Sequence, residues 1–358
     1  MSEQRRKIEI IRRWMADRHI DALYLQTAGS FAWATCGASS YINTASTYGL
    51  ASLLVTLDRQ YLLTTNIEAP RLENEEKLGS QGWEFQTNFW YEGTTAVADL
   101  ARGLKLASDS PFPGSIDLSA ELARLRANMT PEESLCFREL GKGCAKAMHA
   151  AALSVRPGQT EFEIGARLIA EAEQQGIQAI VNLIATDERI SLYRHPLPTS
   201  KKLDKYAMLI LCGRKKGLIC SLTRLVHFGP LSDELKRKAA ACAKVDATFI
   251  NATQPGQTLG NIFEKAVSAY AAAGYAGEWQ KHHQGGVAGY EPREYLAIPG
   301  STDMVRNGQV YAWNPSITGY KSEDTVLIGE TQNEVLTEIP DWPMTNVDGI
   351  DRPAILEL

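Results

Sequence analysis

The motifs that decide the fold lie in the second half of the chain: His195-Pro196-Leu197-Pro198, His282-His283-Gln284-Gly285-Gly286, Trp313-Asn314-Pro315 and Ser322-Glu323-Asp324-Thr325. Two apolar runs, residues 208–213 and 221–224, lie between the first motif and the second and predict a β-hairpin. Prolines stiffen the backbone beside His195, and glycines allow the backbone beside His283 to approach a ligand closely. Imidazole and carboxylate groups held in this way predict a functional site in this half of the chain.

Length and composition predict a globular protein of two domains. At 358 residues the chain exceeds the usual size of a single hydrophobic core. Its formal net charge of −5 argues against nucleic acid or an anionic membrane as partner, because such partners select clustered lysines and arginines. A small polar ligand is compatible with this composition.

The sequence carries no targeting or membrane signal. Residues 2–7 are polar or charged, and Arg12 and Arg13 interrupt the apolar residues that follow, so no signal-peptide core is expected. No run approaches the roughly 18 to 20 apolar residues of a membrane-spanning helix. The six cysteines are scattered without a C-x-x-C motif, which is typical of buried thiols in a reducing compartment. These features predict a cytoplasmic protein.

The first 128 residues alternate helical and extended patterns. Apolar residues at helical spacing predict an amphipathic helix over 4–18, and two apolar runs around Asp58-Arg59 predict a hairpin. Further helices are predicted at 67–77, 94–105 and 119–127, and strands at 22–26, 83–87 and 115–118. This alternation predicts an α/β domain.

A second domain is predicted to begin at residue 129. Thr130-Pro131-Glu132-Glu133 combines a capping threonine, a proline suited to the first turn and a glutamate that completes a capping box, so a long helix to about Val155 should follow. An internal repeat lies beyond it. Pro157-Gly158-Gln159-Thr160 and Pro255-Gly256-Gln257-Thr258 are 98 residues apart, and each introduces a helix. One α-β unit is therefore predicted to occur twice.

The order and spacing of these motifs resemble the catalytic half of the creatinase, prolidase and methionine aminopeptidase superfamily, which has the pita-bread fold. The resemblance covers nearly the whole chain. It implies an α/β (α+β) protein with a creatinase-like N-terminal α/β domain, residues 1–128, and a pita-bread domain with a pseudo-twofold repeat, residues 129–358. The repeat supports the resemblance without using any site residue.

Metal-dependent members of this superfamily bind two ions through five ligands, Asp, Asp, His, Glu and Glu. Matching the motifs implies that these positions hold Leu211, Ser221, His283, Asn314 and Glu323. Two ions need bridging carboxylates, whereas an aliphatic, a hydroxyl and an amide side chain replace three of the ligands. Asp204, Glu291 or His282 could be recruited instead, but their spacing does not require it. The sequence therefore predicts neither a metal ion nor another cofactor.

The catalytic residues are predicted to be His195, Glu323 and His283. His195 stands where the family has a cleft histidine, and an imidazole exchanges protons best near neutral pH. Creatinase is a metal-free member that keeps this histidine and the last glutamate, so the pair resembles its working core. Without a cation beside it, Glu323 is expected to be hydrogen-bonded, paired with a base or partly protonated.

Substrate binding is predicted for six further residues: Asn314, Ser221, Tyr290, Arg224, Trp90 and Tyr91. Tyr290 stands where peptidase members have a second catalytic histidine, which argues against proline-directed peptidase activity. Arg224 matches a family arginine that supports the site, and a guanidinium suits a substrate carboxylate. Arg194 and Arg293 are alternatives for that role.

Trp90 and Tyr91 belong to a polar-aromatic loop of the N-terminal domain. Creatinase and prolidase dimers cover the cleft with the partner's N-terminal domain. The resemblance therefore implies a homodimer in which such a loop lies near the cleft of the other copy.

Together these residues predict a metal-independent, creatinase-like hydrolase with His195 as general acid and base. Its substrate is expected to be small, polar and carboxylate-bearing, and a C–N bond is expected to break. Elimination by the same histidine is an alternative reaction. A non-catalytic binding protein and an ordinary Xaa-Pro metallopeptidase are alternatives from other classes, because a fold does not determine a reaction.

Overall fold

The computed structural model describes residues 2–358, and these form two compact units. The first unit comprises residues 2–126 with the hairpin tip Lys216–Leu218, and the second comprises Ala127–Lys215 and Ile219–Leu358. Within residues 2–358, no helix has both the length and the apolarity that crossing a membrane requires.

The first unit is an α/β layer built on one mixed sheet. Its helices are α1 (Glu3–Asp17), α2 (Ala28–Ala34), α3 (Ala69–Asn74), α4 (Ala96–Leu100) and α5 (Ser119–Arg126). Its strands are β1 (Ala22–Thr27), β2 (Tyr48–Thr56), β3 (Gln60–Thr65), β4 (Glu84–Asn88), β5 (Leu106–Ser108) and β6 (Ile116–Asp117). They lie in the order β4-β3-β2-β1-β5-β6. The predicted α/β class is confirmed, although the three-residue strand β5 was too short for its pattern to predict.

The second unit contains two larger sheets and the longest helices. Its helices are α6 (Pro131–Ser154), α7 (Glu161–Glu173), α8 (Arg189–Leu192), α9 (Asp233–Ala252) and α10 (Leu259–Ala272). Its strands are β7 (Gln178–Thr186), β8 (Tyr206–Lys215), β9 (Leu218–His227), β10 (Gly285–Ala288), β11 (Tyr295–Leu296), β12 (Val310–Trp313), β13 (Ser316–Ile317), β14 (Tyr320–Lys321), β15 (Asp324–Leu327), β16 (Glu334–Val335), β17 (Met344–Val347), β18 (Ile350–Pro353) and β19 (Leu356–Glu357). One sheet has the order β19-β9-β8-β7, and the other has the order β11-β10-β12-β15-β16.

Helix α6 begins with the predicted capping box. The Thr130 hydroxyl accepts a hydrogen bond from the Glu133 backbone amide at 3.1 Å, and the Glu133 carboxylate accepts one from the Thr130 amide at 2.6 Å. Two backbone donors that the first turn leaves unpaired are satisfied in this way. The helix therefore starts at Pro131, as the sequence predicts.

The predicted internal repeat is present in the backbone. In the first copy the amide of Gly158 donates to the carbonyl of Leu203 at 2.8 Å, and in the second the amide of Gly256 donates to the carbonyl of Val305 at 3.0 Å. Both glycines have a left-handed φ, +87° and +88°, which glycine adopts without a steric penalty. Helices α7 and α10 follow these two turns, so one arrangement is used twice in the second unit.

Buried aromatic residues hold the strand that leads into the site. Trp313, at the end of β12, stacks on Phe249 of α9 with ring centroids 4.4 Å apart and on Tyr311 at 5.5 Å. Its indole N–H donates to the Thr253 hydroxyl at 3.1 Å, so burial leaves no unpaired donor there. These contacts fix the position of Asn314, the next residue in the chain.

Candidate active site

His195 lies in the loop between α8 and β8, which a buried glutamate anchors. Glu161, 0% exposed, accepts hydrogen bonds from the backbone amide of Thr199 at 2.9 Å and from its hydroxyl at 2.7 Å. Glu161 also forms an ion pair with Arg189, and Arg189 donates to the carbonyl of Leu197 at 3.1 Å. The His195 side chain remains exposed, so a braced loop presents an accessible imidazole.

Three histidines meet at this point: His195, His282 and His283. The Nε2 atoms of His195 and His282 are 3.0 Å apart, and the His283 ring centroid lies 4.3 Å from that of His282 and 5.9 Å from that of His195. Among the described residues, the Nδ1 atoms of His282 and His283 have no hydrogen-bond partner. One nitrogen from each ring lies within 4.8 Å of the others, a spacing that could hold a single metal ion.

Glu323 is buried between two side-chain cations. Its Oε1 lies 3.0 Å from Nη2 of Arg293, and its Oε2 lies 2.8 Å from Nζ of Lys321. The Thr223 hydroxyl donates to Oε2 at 2.7 Å. Burial alone would raise the pKa of Glu323, but the charges of Lys321 and Arg293 and these hydrogen bonds lower that pKa to about 2. The carboxylate is therefore ionised at neutral pH.

Burial and the same two cations keep the histidines neutral. Burial, reinforced by the charge of Lys321, lowers the pKa of His282 to about 2. Burial, together with Arg293 and Lys321, lowers the pKa of His283 to about 4. The pKa of His195 is also lowered, by burial and by Lys321, and Glu323 partly offsets this effect. At neutral pH the three imidazoles carry no charge and can accept a proton or a ligand bond.

Ser221 and Asn314, which are both predicted to bind substrate, are buried. Their side chains differ in hydrogen bonding. Ser221 is fully buried on β9, where its hydroxyl donates to the Cys212 sulfur at 3.2 Å and accepts from Nη1 of Arg293 at 3.3 Å. Asn314 is 2% exposed, and its backbone amide donates to the carbonyl of Gln284 at 3.0 Å. Its side-chain Oδ1 is buried without a partner among the described residues. An unpaired buried acceptor of this kind suits a ligand that donates a hydrogen bond.

Gly285 allows β10 to pass close to β12 beside His283. Its φ is +111°, and a Cβ added there would lie 2.2 Å from the Ala312 carbonyl oxygen. We expect Gly285→Ala to lower the free energy of unfolding by about 1–3 kcal/mol through backbone strain alone. The same substitution is expected to weaken ligand binding. Denaturant unfolding measures the first effect. Gly277→Ala is the control, because no atom lies within 4 Å of its added Cβ, and an equal loss in both variants would contradict the steric explanation.

Comparison with known proteins identifies the family. The model of metallopeptidase family M24 matches residues 136–330, more than half of the chain. The chain belongs to metallopeptidase family M24. An uncharacterized peptidase of Staphylococcus haemolyticus is 25% identical over 232 residues, which are 62% of this chain and 65% of that protein. The chain thus matches slightly less than two thirds of the length of this relative.

Solved structures with the M24 fold match nearly the whole chain. The Xaa-Pro dipeptidase from Bacillus anthracis has a TM-score of 0.81 at 20% identity and covers 99% of this chain and 100% of its own. The prolidase from Thermococcus sibiricus has a TM-score of 0.82 at 16% identity, with both chains covered completely. These likenesses confirm the predicted fold, an N-terminal α/β domain followed by a pita-bread domain.

The two-metal centre of M24 does not fit these residues. The resemblance assigns the five ligand positions to Leu211, Ser221, His283, Asn314 and Glu323. The first is a fully buried apolar side chain, and both carboxylate oxygens of the last are occupied by side-chain cations. A divalent ion at the histidine cluster would also lie in the repulsive field of Lys321 and Arg293.

Two predicted substrate-binding residues point into the protein instead. Arg224 is 1% exposed and donates to Oδ1 of Asp324 and to the Thr337 carbonyl, both at 2.8 Å. Tyr290 is buried, and its hydroxyl donates to the Glu133 carboxylate. The Arg224 guanidinium thus holds Asp324, the residue that follows Glu323, and direct substrate contact by Arg224 or Tyr290 stays a prediction.

Trp90 and Tyr91 belong to the first unit, whereas all other site residues named above belong to the second. Their side chains are 64% and 65% exposed, and their rings meet edge to face at 5.5 Å. The structure therefore describes an exposed aromatic loop, and its part in substrate binding stays a prediction.

Lys321 was not predicted, although the sequence carries a signal for it. Lys321 precedes Glu323 by two residues, and side chains two apart on an extended chain point to the same side. Arg293 appeared only as an alternative carboxylate ligand, and His282 only as an alternative metal ligand. The structure gives all three a direct contact with a predicted catalytic residue.

Proposed function

We propose that the chain is a peptidase-type hydrolase that cleaves a C–N bond in a small, polar, carboxylate-bearing substrate without the two-metal centre of M24. His195 is its general acid and base. The main support for this proposal is the double ion pair on Glu323. Lys321 and Arg293 occupy both of its carboxylate oxygens, which the resemblance to metal-dependent members assigns to metal binding. No cofactor is required for this chemistry.

The proposed reaction uses His195 twice. The neutral imidazole accepts a proton from water as the water attacks the carbonyl or amidine carbon, and it returns that proton to the departing nitrogen. His282 orients His195 through the 3.0 Å contact between their Nε2 atoms, of which only one can carry the proton in this bond. Lys321 and Arg293 offer positive charge to the carboxylate of the substrate.

The test is turnover by the purified protein on a panel of dipeptides, N-acyl amino acids and guanidino acids, with products identified by mass spectrometry. In ¹⁸O-labelled water, hydrolysis incorporates ¹⁸O into one product, whereas elimination by the same histidine leaves both products unlabelled. Binding of a panel member without turnover would contradict the hydrolase and support the non-catalytic alternative.

Metal removal is expected to leave this activity unchanged. After dialysis against EDTA, the protein should keep its full kcat, because its ionised carboxylate is already paired with side-chain cations. Elemental analysis of the purified protein before dialysis should find no stoichiometric manganese, cobalt or zinc. Loss of activity that one of these ions restores would support the Xaa-Pro metallopeptidase alternative instead.

We also propose a cytoplasmic homodimer. In this proposal the exposed aromatic loop with Trp90 and Tyr91 forms an interface between two copies. None of the six cysteines forms a disulfide, which fits a reducing compartment. Light scattering on the eluted protein measures the number of chains per particle, and a monomer would contradict this part of the proposal.

A further inference from the structure

The buried ion network around Glu323 carries an excess of positive charge. Four cations and three anions form it, each with a side chain at most 10% exposed: Arg224, Arg293, Lys321, Arg352, Asp246, Glu323 and Asp324. Direct ion pairs match Arg224 and Arg352 with the two aspartates. Lys321 and Arg293 share the single carboxylate of Glu323.

The three neighbouring histidines do not correct this imbalance. An imidazole can only be neutral or positive, so no histidine supplies the missing negative charge. Among the described residues, Lys321 and Arg293 form ion pairs with Glu323 alone. One of these two buried positive charges is therefore not compensated by an anion. An unmatched charge removed from water is costly, and a bound anion would compensate it.

Unused hydrogen-bonding groups mark where such an anion would bind. Nε of Arg293 is buried without a partner among the described residues. The Lys321 ammonium has three donors, and its one ion-pair partner is Glu323. A further buried acceptor, the unpaired Oδ1 of Asn314, lies 3.0 Å from the position of a Cβ added at Gly285, two residues after His283. These groups fit a ligand that combines an anionic oxygen with a polar N–H.

We infer that Lys321 and Arg293 replace the two metal ions as the cations of this site and together bind the carboxylate of a small monoanionic ligand. The inference rests on the proposed function for the class of substrate. Its own support is the charge imbalance and the unpaired donor of Arg293. A divalent cation would increase the imbalance, whereas a monoanion removes it.

N-acetylglycine and its uncharged match, N-acetylglycinamide, test the charge requirement by calorimetry on the full chain. The acid is expected to bind at least about 10-fold more tightly than the amide, because the amide leaves the buried charge uncompensated. Equal affinities for the two probes, or stoichiometric binding of manganese to the wild-type protein, would overturn the inference.

Two substitutions are expected to act in opposite directions. Lys321→Met removes the excess charge, so the ligand-free protein should keep or raise its melting temperature and should lose the preference for the acid. Glu323→Gln doubles the excess, so its melting temperature should fall and the acid should restore more of it than in the wild type. A purely structural ion pair would instead lower both melting temperatures and leave the preference unchanged.

Two further variants serve as controls. Lys321→Arg keeps the charge and should keep the preference for the acid, which gives a result even if Glu323→Gln does not fold. Lys281→Met removes a lysine whose side chain is 54% exposed and paired with Glu278, and it should bind both probes like the wild type. Retention of the preference in Lys321→Met, with normal folding, would overturn the inference.

Failure of this inference is distinguishable from failure of the proposed function. If the acid bound tightly but no panel member were turned over, the anion site would be supported and the hydrolase would be contradicted. Suppose instead that the protein turned over a substrate and its carboxamide with the same KM. That result would support the hydrolase and contradict the anion site.

Discussion

Replacing His195 with alanine is expected to reduce kcat by about 10²- to 10⁴-fold, the usual contribution of general acid–base catalysis. The imidazole is the accessible member of the histidine cluster, and the loop that holds it is braced by Glu161 and Arg189. Its removal should therefore abolish proton transfer without unfolding the protein. Steady-state kinetics on the best panel substrate, with the melting temperature recorded in parallel, measure both effects.

His19→Ala is the matched control, because His19 is exposed and belongs to the first unit. It should leave kcat unchanged. His282→Ala should reduce kcat less than His195→Ala does, since His282 is proposed to orient His195 rather than to meet the substrate. The expected remaining kcat of His195→Ala is far below a tenth of the wild-type value. If the variant kept more than about a tenth of that value, the assignment of the general acid and base would be wrong.

Replacing Arg352 with leucine is expected to lower the free energy of unfolding by about 3–5 kcal/mol, the usual cost of removing one partner from a buried ion pair. Arg352 is 0% exposed, and its Nη2 lies 2.6 Å from a carboxylate oxygen of Asp246 and of Asp324. Its Nε donates to Asp246 at 2.8 Å. The substitution leaves both aspartates with less compensation, and urea unfolding measures the change.

Arg138→Leu provides the comparison for an exposed pair. Arg138 contacts Glu334 at 2.8 Å, but the two side chains are 37% and 48% exposed, and water screens such pairs. Its midpoint of unfolding should stay close to that of the wild type. A similarly small change in Arg352→Leu would show that solvent reaches Asp246 and Asp324, and the charge count beneath the site would have to be revised.

Features that depend on neighbours along the chain could be predicted from the amino-acid sequence. The capping box of Thr130 and Glu133 spans three residues, and the repeated turns before α7 and α10 are each four residues long. Both could be predicted because local backbone preferences and side-chain caps act within one turn. The order of the longer motifs was enough to predict the family, which the match over residues 136–330 confirms. The loss of three metal ligands stays a prediction.

The arrangement of charges in the site depends on contacts between segments that are distant in the chain. The ion pair of Arg293 with Glu323 joins residues 30 apart, and the contact of His195 with His282 joins residues 87 apart. No local pattern specifies which cation meets which carboxylate, because that choice depends on how β9, β12 and β15 bring distant segments together. For the same reason no local pattern predicted the contact of Arg224 with Asp324, which joins residues 100 apart. The order of the motifs therefore predicted the family, and packing determined which cations meet Glu323.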